Sequence, residues 1–262
     1  MIARVKASAF AKALRSGRTC PFLMVCYTQE GSQHEVVVKL FSGSECTKAG
    51  LVCELVASLL AQDLRLPVPQ PFLVEIDADF HHAVDLTFAT RFEKSTGLNF
   101  GSKFLGPGYV TWPQQRSIPV PLLQTAAEIF AFDVMIQNPD RREDKPNVLR
   151  KSDELAILDD ELAFSFLYAL IPEQYPWDGK GLDFAYDHVF YKGLRGHQVS
   201  WERMQAAFDA IDNLRIEIYM EALPKDWRDE GTNNAIMNIQ DYFIKAKESS
   251  KKLFQIIREV LV

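Results

Sequence analysis

The order of the secondary-structure signals along the chain constrains its fold most strongly. Two β-prone runs, at residues 22–27 and 35–40, are joined by the polar stretch 28–34, which is typical of a hairpin turn. Long helical patterns occur much later, at residues 201–222 and 232–262. Strands that precede helices predict an α+β fold in which a small β-rich lobe packs on a larger helical lobe.

The signals after the first hairpin predict one helix and two further strands. The helix is expected to begin at a Ser44 or Thr47 cap and to continue to about Leu64, where a proline-rich segment ends it. The strands are predicted at residues 72–76 and 86–92.

A Gly-, Pro- and aromatic-rich stretch at residues 97–121 has no hydrophobic period and separates these strands from a predicted buried helix at 122–136. We place the change of lobe near Phe92 to Leu105, where this stretch begins. The sequence therefore predicts a single domain with an N-lobe of residues 1–95 and a C-lobe of residues 96–262.

Composition and charge exclude several classes of protein. The chain has 29 Lys and Arg against 35 Asp and Glu, and a net charge of -6 argues against binding to nucleic acids or anionic membranes. No apolar run approaches the roughly 20 residues that span a bilayer, and basic residues interrupt the first 26. Four cysteines without Cys-x-x-Cys spacing, and His81, His82 and His188 without a third ligand, do not indicate a zinc site. We interpret these histidines as surface or loop residues and expect a cytoplasmic protein.

Three side chains with oxygen donors occur in order within residues 138–160. Asp140 lies in an Asn-Pro-Asp-Arg turn after a predicted helix, and its carboxylate is the candidate that orients or deprotonates an acceptor hydroxyl. Asn147 and Asp159 flank a predicted hairpin and carry the oxygen ligands that Mg²⁺ prefers. Turn formation explains each residue alone, but the ordered set favours phosphoryl transfer.

Two charged side chains upstream complete the predicted set. Lys39 ends a Val-rich strand and can hold nucleotide phosphates, and Glu54 on the following helix can orient it through an ion pair. A surface lysine and a solvated glutamate are the alternatives. Gly17 and Arg18 are candidate phosphate contacts, although no glycine-rich phosphate motif surrounds them and a plain turn is the alternative. Phe92 is also assigned to the nucleotide site.

The segment from Asp133 to Arg141, with Asn138, Pro139 and Asp140 in sequence, resembles the HipA-like kinases, especially their compact branch without the extra N-terminal subdomain. The resemblance extends over most of the chain, from roughly Gly17 to the last helix. Supporting similarity occurs at residues 37–40, 54–69, 100–103, 157–164 and 223–227.

This resemblance implies a Ser/Thr protein kinase that uses ATP and Mg²⁺ and has the two-lobed fold shared with phosphatidylinositol kinases. Carried over by position, Lys39 would hold phosphate, Glu54 would support it, Asp140 would be the catalytic aspartate and Asp159 would bind metal. The wider family includes toxins that modify an aminoacyl-tRNA synthetase. An antitoxin or another regulatory partner is therefore considered, and the protein substrate is not identified.

Lys145 departs from the usual kinase pattern. A metal-binding Asn commonly lies five residues after the catalytic Asp, whereas this chain has Lys145 there and Asn147 two residues later. Either Asn147 serves as the metal ligand or metal binding is impaired. Two other functions therefore stay open: a kinase of small molecules, and a nucleotide-binding pseudokinase that acts as an interaction module.

Overall fold

Strands dominate the first part of the chain and helices the second. The computed structural model describes residues 2–14, 20–42, 47–114, 117–169 and 174–262. The described strands are β1 (Ala3–Ala13), β2 (Phe22–Tyr27), β3 (Gln33–Lys39), β4 (Pro71–Ile76), β5 (Gly97–Lys103), β6 (Val110–Thr111), β7 (Val148–Lys151) and β8 (Glu154–Ile157). The described helices are α1 (Lys48–Asp63), α2 (Leu86–Glu93), α3 (Leu123–Met135), α4 (Asp183–Tyr186), α5 (Tyr191–Leu194), α6 (Glu202–Ala210), α7 (Asn213–Glu221), α8 (Glu230–Glu248) and α9 (Ser250–Val260).

Five strands close into a small barrel in the order β1-β2-β3-β5-β4. Strand β1 pairs in parallel with β4, and the other neighbouring strands are antiparallel. The sequence analysis did not predict β1, because its Ala- and Lys-rich composition gives a weak β signal. Strand β5 belongs to the barrel, so the barrel extends to Lys103, beyond the lobe boundary predicted at residue 95.

The predicted strand at residues 86–92 is wrong, since this segment forms helix α2. The Asp85 carboxylate caps the helix by accepting a hydrogen bond from the Thr87 backbone N–H at 2.8 Å. Phe88 and Phe92, four residues apart, both place their rings against Phe22 of the barrel. This spacing is the helical period, and helix α2 packs its aromatic side chains into the barrel core.

The predicted helix around residues 47–64 is confirmed as α1, and Thr47 caps it by accepting a hydrogen bond from the Gly50 N–H. The buried helix predicted at 122–136 is confirmed as α3. Both helices contribute many residues to the main hydrophobic core. Buried apolar residues on α3 occupy nearly its whole circumference, which fixes its C-terminal end and the turn that follows.

The two long C-terminal helices predicted from the sequence are each interrupted. The first ends as α6, and Asp212 then caps α7 by accepting a hydrogen bond from the Arg215 N–H. The second divides at Ser249 into α8 and α9. Helix α8 begins at Glu230, before the predicted start at residue 232, because the Asp229 side chain caps it by accepting a hydrogen bond from the Thr232 N–H. None of the described helices is both long enough and apolar enough to cross a bilayer.

Gly101 generates the first testable prediction. A Cβ atom at this position would lie 2.5 Å from the Val36 Cγ1 atom and 2.6 Å from the Val74 Cγ2 atom. Because these branched side chains are stiff and buried, Gly101→Ala should lower the free energy of unfolding by about 1–3 kcal/mol. Urea denaturation measures the change. Gly231→Ala, in the first turn of α8 with no close contact, is the matched control and should be neutral or stabilising; equal effects of both variants would contradict the prediction.

Candidate active site

Lys39 lies at the end of β3 and brings three carboxylates together. Its register opposite Phe100 of β5 fixes the backbone. Its ammonium nitrogen lies 2.8 Å from Glu54 Oε2, 2.6 Å from Asp159 Oδ1 and 3.4 Å from Glu161 Oε2. The predicted pairing of Lys39 with Glu54 is therefore present in the structure. Glu161 was not anticipated, because nothing in its sequence position distinguishes it from a solvated glutamate.

The protonation of these groups follows from burial and pairing. Burial disfavours the charged form of Lys39, but Glu54, Asp159 and Glu161 outweigh it and raise the pKa of Lys39. Burial raises the pKa of Glu54 to about 8, against the opposing effect of Lys39. Burial also opposes ionisation of Asp159, but Lys39 and Lys145 hold its pKa at about 2. The Asp159 carboxylate is therefore ionised and strongly paired near neutral pH.

The turn after α3 holds Asp140 at the same site. The Asn138 Oδ1 atom accepts a hydrogen bond from the Asp140 backbone N–H at 3.1 Å. The Asn138 amide group donates to Asp133 Oδ1 at 3.1 Å and to Asp160 Oδ1 at 3.0 Å. Asn138 thus has a specific role beyond turn formation: it fixes the backbone before Asp140 and links that backbone to two buried carboxylates.

Arg141 is fully buried and connects the turn to strand β8. Its guanidinium donates to Asp133 Oδ2 at 2.6 Å and forms a second ion pair with Asp160. It also donates to the backbone carbonyl oxygens of Asn147 at 2.6 Å and Leu158 at 3.0 Å. Because a buried charge requires full pairing, this one side chain determines how the segments that carry Asp140, Asn147 and Asp159 are arranged.

His188 is part of this network: it lies in the loop between α4 and α5, but it is buried and is not a surface histidine. The residue is 2% exposed, and its Nε2 atom lies 2.9 Å from Asp133 Oδ2. Its Nδ1 atom accepts a hydrogen bond from the Phe190 backbone N–H, so Nε2 carries the proton that is donated to Asp133. Burial lowers the pKa of His188, with Asp133 opposing this effect. No spacing motif in the sequence indicates such a contact.

Asp140 and Asp159 face a shared cation. The Lys145 ammonium nitrogen lies 2.5 Å from Asp140 Oδ2 and 3.3 Å from Asp159 Oδ2. The Asn147 amide donates to Asp140 Oδ2 at 3.2 Å and to the Asp140 carbonyl oxygen at 3.3 Å. The structure therefore brings Lys39, Asp140, Asn147 and Asp159 to one site.

The backbone at two predicted metal ligands is in an uncommon conformation. Asn147 has φ 47° and Asp159 has φ 66°, both in the left-handed region, which L-residues adopt at some energetic cost. The Leu158 backbone N–H donates to the Asn147 carbonyl oxygen at 3.1 Å and holds the two segments side by side. Such conformations are concentrated at functional sites because the surrounding structure must enforce them.

The donors at this site fit Mg²⁺. Carboxylate oxygens of Glu54, Asp159 and Glu161 lie within 4.8 Å of one another, and Asp140 and Asn147 add further oxygen atoms nearby. All of these are hard oxygen ligands, which suit Mg²⁺ better than a thiolate-preferring metal. Lys39 and Lys145 both contact the Asp159 carboxylate. A divalent ion would bind there either by displacing an ammonium group or by sharing the carboxylate with it.

Gly17, Arg18 and Phe92 are the other predicted nucleotide contacts. Gly17 and Arg18 lie outside the described residues. Phe92 has no exposed surface, and its ring packs against Phe22 and Phe80 inside the barrel. The prediction that Phe92 contacts a nucleotide is corrected to a role in the barrel core.

A cavity of about 330 Å³ adjoins the loop that follows Asp140. Its side chains carry both signs of charge and pair with one another: Lys192 lies 2.9 Å from Glu143, and Arg142 lies 3.2 Å from Asp144. The residues that line it are Arg142, Glu143, Asp144, Asp187 and Lys192. The sequence did not predict this cavity, because Asp187 and Lys192 are far along the chain from the loop that contains Arg142. An isolated β-bridge between Arg142 and His188 brings the two segments together.

A kinase-like fold is found among solved structures that resemble this one. The crystal structure of the Helicobacter pylori proinflammatory kinase CtkA has a TM-score of 0.50 and 14% sequence identity, and the alignment covers 97% of this chain and 98% of that chain. This likeness shows a common fold. The kinase-containing structures of CtTel1 are more distant: the open conformation has a TM-score of 0.39 and 12% identity, over 98% of this chain and 12% of that chain. The structure of the FAT and kinase domain of CtTel1 has a TM-score of 0.37 and 13% sequence identity, and the alignment covers 98% of this chain and 23% of that chain.

The sequence pattern of the HipA-like kinases matches residues 8–254. The chain belongs to the HipA-like kinase family, as the residues of the 133–160 region predicted. No curated protein sequence matches it.

Arg141 generates the second testable prediction. Arg141→Met would leave the Asp133 and Asp160 carboxylates buried without their cation, so the free energy of unfolding should fall by about 3–5 kcal/mol. Chemical denaturation measures this loss. Arg142→Met removes a neighbouring ion pair whose Arg side chain is 46% exposed, and it should change stability by less than about 1 kcal/mol. Similar losses in the two variants would contradict the dependence of the fold on Arg141.

His188 generates a prediction about pH. Its pKa is lowered in the folded protein by burial, so below the ordinary pKa of about 6.5 the unfolded chain takes up a proton that the folded chain resists. Stability conferred by neutral His188 is present above that pH and is lost as the pH falls. Wild-type protein should therefore lose stability relative to His188→Gln between about pH 7.5 and about pH 5.5. Denaturation at several pH values checks this, and parallel curves for the two proteins would contradict it.

Proposed function

We propose that this protein is an ATP-dependent Ser/Thr protein kinase in which Asp140 is the catalytic aspartate and Asp159 and Asn147 hold Mg²⁺. One observation carries the proposal: the Lys39 ammonium joins Glu54 of α1 to Asp159 after β8, next to Asp140. A lysine paired with a helix glutamate, a metal-type aspartate and a separate loop aspartate are the parts that protein kinases use for phosphoryl transfer. In this proposal the barrel and α1 form the small lobe, and the helices from α3 onward form the large lobe.

Lys39 would bind the phosphate groups of the nucleotide. Its ammonium is held between Glu54 and Asp159, so the ion pair with Glu54 orients it while the phosphates replace part of the carboxylate contacts. Because the Lys39 ammonium is buried and has little access to water, it interacts strongly with a phosphate group that replaces one of its carboxylate partners.

Asp140 would orient the acceptor hydroxyl and accept its proton. Its Oδ2 atom accepts hydrogen bonds from Asn147 and Lys145, and its backbone is fixed by Asn138. These contacts hold one carboxylate oxygen in place, which limits the directions in which the carboxylate can meet a hydroxyl group. Positioning of this kind is the main contribution that a kinase makes, because phosphoryl transfer requires little covalent work from the protein.

Mg²⁺ would neutralise the phosphate oxygens and keep the nucleotide in place. Asp159 and Asn147 supply its protein ligands in this proposal: Asp159 is one of three clustered carboxylates, and the Asn147 side chain, which donates to Asp140 Oδ2, offers an amide oxygen. Both residues have a left-handed backbone, and both side chains lie near Asp140: Asn147 donates to Asp140 Oδ2, and Asp159 shares the Lys145 ammonium with Asp140.

A protein acceptor is favoured over a small molecule by the surface that the loop after Asp140 forms with Asp187 and Lys192. The cavity next to the loop is lined by side chains that are largely half-exposed, such as Lys192 and Glu143 at 53% and 49%. A small-molecule kinase usually encloses most of its acceptor, whereas an open, mixed-charge surface suits a peptide segment. The cytoplasmic location and an antitoxin or other regulatory partner stay predictions from the sequence.

One observation favours a second function, a nucleotide-binding protein without turnover. Lys145 contacts both Asp140 and Asp159, and an ammonium group there competes with any metal ion for the same oxygen atoms. In this alternative the chain binds nucleotide and acts through a partner protein.

Transfer from labelled ATP tests the two functions. Purified wild-type protein with ATP and Mg²⁺ should phosphorylate itself or a protein acceptor, and Asp140→Asn should reduce the rate by about 10²–10⁴-fold because the hydroxyl loses its proton acceptor. Nucleotide binding should survive in the variant.

Asp153→Asn, in the exposed turn between β7 and β8, is the matched control and should keep the wild-type rate. Unchanged transfer in Asp140→Asn would contradict the assigned role. A folded wild-type protein that binds nucleotide without any transfer would favour the second function.

A further inference from the structure

Lys145 occupies a position where protein kinases have a metal-binding Asn, and its contacts in this structure give it a defined place. One ammonium nitrogen lies 2.5 Å from Asp140 Oδ2 and 3.3 Å from Asp159 Oδ2. The two aspartates come from separate segments, so this single group bridges the residue assigned to the acceptor and the residue assigned to the metal. The inference rests on the proposed kinase function of this site.

The backbone around Lys145 is held on both sides. The Arg142 N–H donates to the Lys145 carbonyl oxygen at 3.1 Å, which closes the loop. Pro146 follows and restricts the backbone of Lys145 to extended conformations. The Asn147 carbonyl oxygen then accepts from Arg141. The Lys145 side chain therefore leaves an anchored backbone and is 29% exposed, so its position depends on the loop as well as on attraction between charges.

The formal charge of the site gives this lysine a purpose. In the described part of the chain, four carboxylates, Glu54, Asp140, Asp159 and Glu161, contact the two ammonium groups of Lys39 and Lys145. In the described structure Asp140 forms its ion pair with Lys145, and Asp159 pairs with both lysines. An uncharged Asn at position 145 would remove one positive charge from beside both aspartates, where a second metal ion would otherwise supply it.

We propose that the Lys145 ammonium is a permanent cation of the nucleotide site, which holds Asp140 and Asp159 together and supplies part of the positive charge that the second of the two metal ions brings to other protein kinases. The site then needs a single Mg²⁺. Lys145 lies beside both Asp140 and Asp159. A nucleotide phosphate that approaches Asp159 would therefore come within reach of the Lys145 ammonium.

This role differs from that of a plug that merely blocks metal binding. A permanent cation attracts phosphate, so its removal weakens nucleotide binding when no metal is present. A plug obstructs the site, so its removal strengthens nucleotide binding. The two roles therefore predict changes of opposite sign for the same substitution.

Binding of ADP and ATP, measured by calorimetry in EDTA and then at increasing Mg²⁺, tests the inference on the full chain. In EDTA, Lys145→Asn should bind nucleotide about tenfold more weakly than wild type, because one charged contact to phosphate is lost. The deficit should shrink as Mg²⁺ rises, since Asn can help to bind a second metal ion. Lys145→Arg, which keeps the charge, should stay near wild type in EDTA.

Lys151→Asn is the matched control: it makes the same substitution at an exposed lysine of the same hairpin region, whose ammonium lies over the Tyr109 ring, and it should leave both titrations unchanged. Tighter nucleotide binding by Lys145→Asn would overturn the inference in favour of a plug. Unchanged binding with altered thermal stability would overturn it in favour of a purely structural lysine. Absence of nucleotide binding by the wild-type protein under every condition would overturn the proposed function as well, which separates the two failures.

Discussion

The buried guanidinium of Arg141 is the contact on which the arrangement of the site depends. Removing such a charge from water is costly unless acceptors surround it, and here Asp133, Asp160 and two backbone carbonyl oxygens do so. Those acceptors come from helix α3, from the loop before β7 and from the end of β8. Asp140 precedes Arg141 and Asp159 precedes Asp160, so satisfying one buried cation also brings the carboxylates of Asp140 and Asp159 together.

Lys39 provides the corresponding link to the barrel. It ends a strand whose register is fixed by pairing with β2 and β5, and its ammonium reaches Glu54 on α1 and Asp159 after β8. Opposite charges at low exposure interact strongly, which makes this contact a connection between the sheet and the helical core. The same property suits it for binding phosphate, because the ammonium is already oriented.

Sequence reasoning succeeded where local signals were strong. Helix α1 has a Thr47 cap and a run of apolar residues, and the hairpin of β2 and β3 has β-branched strands around a polar turn. It failed at β1 and α2, because Ala-rich and aromatic segments have weak or ambiguous preferences that packing against the barrel decides. His188 and Glu161 were missed for a related reason: their partners, Asp133 and Lys39, are far away in the sequence.

The sequence by itself determined the chemistry of the site: the order of a lysine, a glutamate and two aspartates, and the unusual Lys145 among them. It also determined the family, since these residues lie in a recognisable pattern. Only the tertiary structure decided which charges share which partners. Lys145 contacts both Asp140 and Asp159 because the hairpin folds back beside the turn after α3. Pairing between charges depends on distance and burial, and neither is encoded in residue order alone.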